Sequence, residues 1–263
     1  MPASVSGDEP QLLARSLPGV PVVIGRRRVR SGKQACEEFA PDVCLLDDAF
    51  QYWRLRKDLE IVLINAVEPF GYGRLLPRGA LREPLTGLRR AHAAILTHAA
   101  WADDTARQGV RDRLLRIHPG LVLAEARHVP VRLRDAVTGE EFPLQTLQGG
   151  SWAALSSLGS PESFERTLSE LGVGRITPVR FPDHHPYTPD DVQLVAKRVC
   201  REGLLGIVTT EKDSVKIARE WLASIRCLVL EIDLRFLDGE AELEALVRER
   251  VCPAARERVT ASA

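Results

Sequence analysis

The stretch VCLLDDAFQYW, residues 43–53, determines how the first half of the chain is expected to fold. Its apolar run, Val43 to Leu46, does not alternate with polar residues, which is typical of a strand buried on both faces of a parallel sheet. Two adjacent carboxylates, Asp47 and Asp48, follow directly. Because ligands gather at the carboxyl ends of parallel strands, the stretch predicts a strand that carries an acidic pair into a binding site. The alternative is a pair of exposed turn residues that cap a helix.

Short apolar runs and amphipathic segments alternate along the rest of the chain. Strands are predicted at residues 20–25, 42–48, 59–66 and 92–99 and within LLGIVTTEKD (204–213), and two long extended runs at 126–137 and 226–239. Helices are predicted at residues 9–17, 31–40, 103–118, 189–202 and 240–251 and between Ser160 and Gly172. This alternation predicts an α/β fold with a mostly parallel sheet covered on both faces.

The pattern divides the chain into two αβα lobes. We expect the first lobe at residues 1–125 and a second, smaller lobe at 150–225, after the composition changes near the glycine pair 149–150. Residues 126–149 and 226–239 are expected to form a two-stranded linker between the lobes. A helix and tail complete the chain at 240–263.

Composition excludes several classes of protein. Lys plus Arg and Asp plus Glu number 36 each, so the net charge is zero, which argues against a general nucleic-acid binder. The five cysteines form no CxxC pair and therefore no readable zinc site or disulfide framework. No apolar run approaches the length of a membrane span, so a membrane would be met only at its surface.

Three polar stretches carry residue types that could take part in chemistry. Asp47 and Asp48 suit Mg²⁺ beside a nucleotide phosphate, because magnesium prefers one or two carboxylates with phosphate oxygens and water. The glycine-rich loop at 68–84 carries three arginines whose forked guanidinium groups suit phosphate oxygens, Arg74, Arg78 and Arg82. Each stretch has a plainer interpretation, a helix cap for the first and a solvated loop for the second.

The third stretch, FPDHHPYT, places Asp183 beside His184 and His185. An aspartate next to a histidine can orient the imidazole or act with it in proton transfer. At least one of the two histidines is expected to be structural, packed in an apolar corner. No further ligand has the spacing of a metal site.

Six motifs, in order along nearly the whole chain, resemble one family, the tetraacyldisaccharide 4′-kinases. They are GDEPQLLARSLPGVPVVIG, LLDDAFQYWRLRKDLEIVLINA, PFGYGRLLPRGALREP, SSLGSPESFERTLSELG, FPDHHPYTPDDV and TTEKDSVKI. The resemblance implies phosphorylation of the 4′ hydroxyl of a tetraacyldisaccharide 1-phosphate in lipid A biosynthesis, with ATP and Mg²⁺ as cofactors. It implies a P-loop-kinase-like lobe and a second αβα lobe joined by a two-stranded ribbon. It also implies a peripheral enzyme on the cytoplasmic face of the inner membrane.

The resemblance also implies roles for individual residues. Asp8 matches the catalytic base and His184 the histidine that partners it. Asp47 and Asp48 match the acidic pair that serves Mg²⁺ and the phosphates. Further active-site positions are Glu9, Gln51, Arg82 and Glu83, and substrate-loop candidates are Arg74, Arg78 and His185.

One family feature has no counterpart in the sequence. The family places a P-loop ahead of GDEP, and no GxxxxGK[ST] pattern occurs here; in GRRRVRSGKQ, Gln34 stands where Ser or Thr is needed. Because the P-loop supplies much of the charge stabilisation in phosphoryl transfer, we expect little or no kinase activity from these 263 residues alone. Three interpretations stay open: a kinase whose native chain starts further upstream, an inactive remnant that binds lipid disaccharide or a partner, and a metal-dependent phosphoesterase.

Overall fold

A computed structural model describes residues 6–251 and confirms the α/β class with a mostly parallel sheet. The helices are α1 (Asp8–Ser16), α2 (Arg28–Phe39), α3 (Asp104–Ile117), α4 (Pro161–Glu170), α5 (Pro189–Glu202), α6 (Glu211–Ser214) and α7 (Glu240–Val251). The strands are β1 (Ile61–Asn65), β2 (Ala93–Thr97), β3 (Val122–Asp135), β4 (Glu141–Phe142), β5 (Ser151–Ser156), β6 (Arg175–Arg180), β7 (Ile207–Thr210) and β8 (Cys227–Asp238). The tail predicted beyond residue 251 lies outside the described residues.

The chain folds into two compact units whose bounds differ from the predicted lobes. One unit joins residues 6–24 to Pro130–Asp233, and the other joins Gly25–Val129 to residues 234–251. The sequence pattern placed residues 6–24 with the first lobe. They belong elsewhere because helix α1 packs against α6, a contact between segments far apart in sequence that no local pattern reveals.

The unit containing Pro130–Asp233 is built on four neighbouring parallel strands in the order β8-β7-β5-β6. Strand β5 lies inside this order, and its residues from Trp152 to Ser156 are all buried, which explains its continuous small and apolar sequence. Apolar side chains of α5 pack against one face of these strands, and those of α4 pack against the other face. The carboxyl ends of β5 and β7 lead into the segments that carry Ser157 and Asp213.

The unit containing Gly25–Val129 has β1, β2 and the first part of β3 paired in parallel. Every residue of β2, AAILT, is buried. Helix α3 covers this sheet through Val110 and Leu114, and α7 through Leu243. The two long extended runs form β3 and β8, which are hydrogen-bonded neighbours and contribute residues to both units.

Two predicted strands were wrong. Residues 20–25 and 42–48 form neither helix nor strand, and Leu45 is 92% exposed. A strand exists only where its backbone groups meet a hydrogen-bonding neighbour, and these segments pair with none within residues 6–251. Apolar composition alone signals a preference for burial but does not supply that neighbour. The acidic pair Asp47 and Asp48 therefore lies in a turn.

Candidate active site

Helix α1 begins at a glycine that places a carboxylate inside the protein. Gly7 precedes the helix with φ of 89°, a backbone conformation that residues other than glycine rarely adopt. Asp8 is the first helical residue and is only 9% exposed. A carboxylate in the first turn interacts favourably with the positive end of the helix dipole. The turn therefore holds an ionised Asp8 in a partly enclosed position.

The partner of Asp8 is His184. The Nδ1 atom of His184 lies 3.0 Å from Oδ2 and 3.1 Å from Oδ1 of Asp8. Because the carboxylate accepts, Nδ1 carries the proton in this contact. The backbone of His184 has φ of 57°, and its N–H donates to the Asp183 carboxylate over 3.0 Å. The FPDHHPYT stretch thus contributes a histidine whose imidazole the loop aims at Asp8.

The pKa of Asp8 lies below its ordinary value. Burial alone would raise this pKa, but the electrostatic interactions of Asp8 with His184 and Lys212 and the hydrogen bond from His184 outweigh that effect. Lys212 is also 3.1 Å from Glu9 and 3.8 Å from Asp183. Asp8 is therefore an ionised acceptor, as a group that takes the proton of an attacking hydroxyl must be.

A buried polar cluster lies behind the pair, centred on Asp213. The Asp213 side chain is fully buried and accepts hydrogen bonds from Ser157, Tyr187 and Thr210. Lys216 Nζ lies 2.8 Å from Asp213 and 3.8 Å from Asp8 and also donates to Ser157 Oγ. Burial, together with the Asp213 charge, strongly raises the pKa of Tyr187. The motif TTEKDSVKI pointed to this segment in the sequence, but the residue spacing gave no sign that Lys216 lies close to Asp8.

His185 has a different environment from its neighbour. Its ring stacks on Phe181 at 4.6 Å between centroids, and its Nε2 atom lies 3.0 Å from Asp191. Asp191 also forms the capping box of α5 with Thr188. These contacts favour the structural role that the sequence assigned to one of the two histidines.

A cavity of about 690 Å³ opens beside the Asp8–His184 pair. Asp8, Gln11 and Arg15 of helix α1 line one wall. The rest of the lining includes Arg134 of β3 and Val229 of β8. Residues that follow α6 also contribute, among them Lys216, Arg219 and Trp221. All the lining residues belong to the unit containing Pro130–Asp233.

The acidic pair lies in the other unit. Asp48 adopts φ of 43°, and both its carboxylate oxygens lie 2.7 Å from Nη1 of Arg82. This contact raises the pKa of Arg82. The Asp47 carboxylate makes no hydrogen bond or ion pair within residues 6–251, while its backbone carbonyl accepts from Arg28 over 2.8 Å.

Gln51 and Glu83 form a second contact in this unit. Gln51 donates to Glu83 over 3.1 Å, and Arg90 binds both Glu83 oxygens at 2.8 Å. The Arg90 guanidinium also lies over the rings of Phe50 and Trp53. The structure therefore brings together four of the predicted residues of this unit in two pairs, Asp48 with Arg82 and Gln51 with Glu83.

The remaining candidates, Arg74 and Arg78, lie on a compact loop. Backbone hydrogen bonds close it, among them Ala80 N–H to the Gly71 carbonyl and Leu81 N–H to the Arg74 carbonyl. Both arginines are exposed, and neither has a carboxylate partner within residues 6–251. The loop thus holds two free cations on its surface.

The described residues contain neither a ready-made metal site nor a membrane-spanning helix. Between residues 6 and 251, no three His, Cys, Asp or Glu side chains are grouped so that they could hold a metal ion by themselves. Over the same residues, no helix has the length and apolar character needed to cross a membrane.

Known proteins resemble the chain over almost its whole length. A family model described as Tetraacyldisaccharide-1-P 4′-kinase matches residues 1–252. A tetraacyldisaccharide 4′-kinase of Anaeromyxobacter sp. (strain K) is 41% identical over 260 residues, which are 98% of this chain and 68% of that protein. The corresponding protein of Anaeromyxobacter dehalogenans (strain 2CP-C) is 41% identical over 93% of this chain and 65% of its own length.

A solved structure shares the fold. The structure described as the "apo" form of LpxK from Aquifex aeolicus in complex with ATP matches with a TM-score of 0.67 and 29% identity, over 95% of this chain and 71% of that one. The chain thus spans about two thirds of the length of the curated relatives. On the family model and these identities, the chain belongs to the tetraacyldisaccharide-1-P 4′-kinase family.

Proposed function

We propose that this protein transfers the γ-phosphate of ATP to the 4′ hydroxyl of a tetraacyldisaccharide 1-phosphate. The observation that carries the proposal is the Asp8–His184 pair at the edge of a cavity, in a chain that belongs to a family of such kinases. Phosphoryl transfer needs an acceptor hydroxyl held against a carboxylate that receives its proton. Asp8 is ionised, partly enclosed and directed by a histidine, which suits that role.

His184 acts on Asp8 in this proposal as a positioning residue. Its Nδ1–H fixes the orientation of the carboxylate and favours the charged form. The side chain of His184 is half exposed, so an acceptor can approach the pair without disturbing the buried Asp213 cluster.

Residues of the other unit would serve the nucleotide. Asp47 and Asp48 offer the hard oxygen donors that Mg²⁺ prefers, and the unpaired carboxylate of Asp47 fits direct contact with the ion. Magnesium supplies charge neutralisation between the β- and γ-phosphates when bound. Arg82 holds Asp48 in place, and Arg74 and Arg78 are the free cations suited to phosphate oxygens.

The acceptor implies where the protein works. A tetraacyldisaccharide is anchored in a membrane by its acyl chains, so we propose that the protein acts as a peripheral enzyme at the cytoplasmic face of the inner membrane. The phosphoesterase alternative is not favoured, because residues 6–251 hold no metal-binding group of three or more His, Cys, Asp or Glu side chains.

The test is transfer of radiolabelled γ-phosphate from ATP to the disaccharide 1-phosphate in mixed micelles, with protein expressed from its own gene and isolated from its source cells. Replacing Asp8 by Asn keeps the shape of the side chain but removes the base, so we expect kcat to fall about 10²- to 10⁴-fold. Asp190→Asn, at the exposed start of α5, is the matched control and should transfer phosphate at the unmodified rate.

Two results would contradict the proposal. An unmodified protein that transfers no phosphate to this acceptor would favour the binding-only interpretation. An Asp8→Asn variant as active as the control would mean that a group other than Asp8 is the base.

A further inference from the structure

The cavity beside Asp8 contains two arginines whose charges have no partner among residues 6–251. Four lysine and arginine side chains line it. Lys216 is paired with Asp213 at 2.8 Å and Arg134 with Glu231 at 2.7 Å. Arg15 and Arg219 have no hydrogen-bond or ion-pair partner within residues 6–251. Two arginines thus share the cavity, and no carboxylate within residues 6–251 pairs with either of them.

These two arginines also affect each other. Burial and then the positive charges of Arg219 and Arg134 lower the pKa of Arg15. Both side chains are exposed, so solvent weakens their repulsion, and a bound anion would relieve what remains. The chain carries equal numbers of acidic and basic residues, 36 of each, so carboxylates are not scarce elsewhere. A local excess of positive charge of this kind favours the binding of an anion.

Helix α1 orders this wall of the cavity. Asp8, Gln11 and Arg15 are separated by three and then four residues, so they lie on one helix face. Seven residues at 1.5 Å each place Arg15 about 10 Å along the axis from Asp8. Between them, the buried Oε1 of Gln11 receives no hydrogen bond from the part of the chain that the structure describes, and buried polar atoms are rarely left without one. A hydroxyl or amide N–H of a bound molecule would satisfy it.

We propose that Arg15 and Arg219 bind the phosphate that the acceptor already carries, the phosphate monoester at the end of the disaccharide remote from the reacting hydroxyl. The inference rests on the proposed function and deepens it. A molecule with its hydroxyl at Asp8 and two sugar rings along α1 would bring this phosphate to the arginines and a polar sugar group to Gln11. A phosphate monoester carries a charge of about −1.5 to −2 at neutral pH, which matches two free guanidinium groups.

The test compares binding, not turnover. Calorimetric titrations of the purified protein would use three ligands: the disaccharide 1-phosphate in detergent micelles, the same disaccharide lacking the phosphate, and ATP. We expect the unmodified protein to bind the phosphorylated disaccharide about 10- to 100-fold more tightly than the unphosphorylated one, as charge-assisted hydrogen bonds imply.

The variants assign the preference to residues. Arg15→Gln combined with Arg219→Gln should remove most of the preference and leave the affinity for the unphosphorylated disaccharide unchanged, while Arg15→Lys with Arg219→Lys should keep part of it. Arg166→Gln, on the exposed face of α4, is the control and should keep the full preference. Thermal unfolding verifies that each variant is folded.

Three outcomes would overturn the inference: equal affinity of the unmodified protein for both disaccharides, an unchanged preference in the double glutamine variant, or a loss of ATP affinity in that variant instead. The proposed function fails separately. If the protein shows the arginine-dependent preference but transfers no phosphate, the inferred anion site stands and the proposed kinase activity is wrong.

Discussion

Asp213 and Lys216 form a buried ion pair close to Asp8 and His184. Asp213 is fully buried, and the Lys216 side chain is 6% exposed. Removing one partner of a buried pair leaves the other charge uncompensated, whereas removing both does not. We therefore expect Asp213→Asn to lower the free energy of unfolding by about 3–5 kcal/mol. Adding Lys216→Met should restore part of the loss, as denaturant unfolding of the single and double variants would reveal.

One result of this double-mutant cycle would contradict the prediction. If the two single losses simply add in the double variant, the pair does not interact, and the contribution of Asp213 comes only from its hydrogen bonds to Ser157, Tyr187 and Thr210.

Asp8 gives the protein a specific response to acid. The pKa of Asp8 is lowered from an ordinary value of 3.8, so its ionised form is bound more favourably in the folded protein. This contribution to stability is fully present above pH 3.8 and is lost as the pH falls through the lower folded-state pKa. We expect Asp8→Asn to be less stable than the unmodified protein above pH 4 and to approach it below that range. Unfolding curves that keep a constant separation from pH 7 to pH 2 would contradict this.

The arginine loop depends on one glycine. A Cβ atom at Gly79 would lie 2.3 Å from the Arg74 carbonyl oxygen and 2.5 Å from that of Gly71, so Gly79→Ala must open the loop. We expect trypsin to cleave after Arg74 and Arg78 several-fold faster in this variant. Gly109→Ala is the matched control in the same unit: its Cβ meets nothing within 4 Å, and alanine inside α3 should raise stability by about 0.4–1 kcal/mol. Equal cleavage rates would mean that the loop tolerates the side chain.

The sequence predicted elements well where the signal is local. Helix α5 matches its prediction at both ends because Thr188, Pro189 and Gly203 mark its start and stop. The failures involve partners distant in sequence. Val43 to Leu46 has the composition of a buried strand, but strand formation depends on a neighbour that composition does not specify. Asp8 and His184 were paired through a family resemblance, since nothing in residues 6–10 or 181–188 specifies a contact between them.

The cavity arginines were missed for a related reason. Arg15 and Arg219 lie in unremarkable amphipathic segments, and each alone has the pattern of a solvated surface residue. Only the fold brings them into one cavity and shows that their neighbours Arg134 and Lys216 already have partners. An excess of charge is a property of the surroundings, not of a motif.

At the scale of the whole molecule, the candidate residues divide by role between the two units. Asp8, Glu9 and His184 belong to the unit containing Pro130–Asp233, and the nucleotide candidates from Asp47 to Glu83 to the unit containing Gly25–Val129. If the roles are correct, variants in one unit should change the chemical step and acceptor binding. Variants in the other should change the dependence on ATP and magnesium.

Asp47→Asn tests this division. The unpaired Asp47 carboxylate is the donor best placed to contact Mg²⁺, and even outer-shell changes at metal sites lower affinity 10- to 100-fold. We therefore expect the magnesium concentration for half-maximal phosphate transfer to rise by at least about tenfold, while acceptor binding measured without nucleotide stays constant. Asp42→Asn, an exposed carboxylate five residues earlier, is the control. If Asp47→Asn weakens acceptor binding and leaves the magnesium dependence unchanged, the acidic pair serves the disaccharide and the division of roles between the units is wrong.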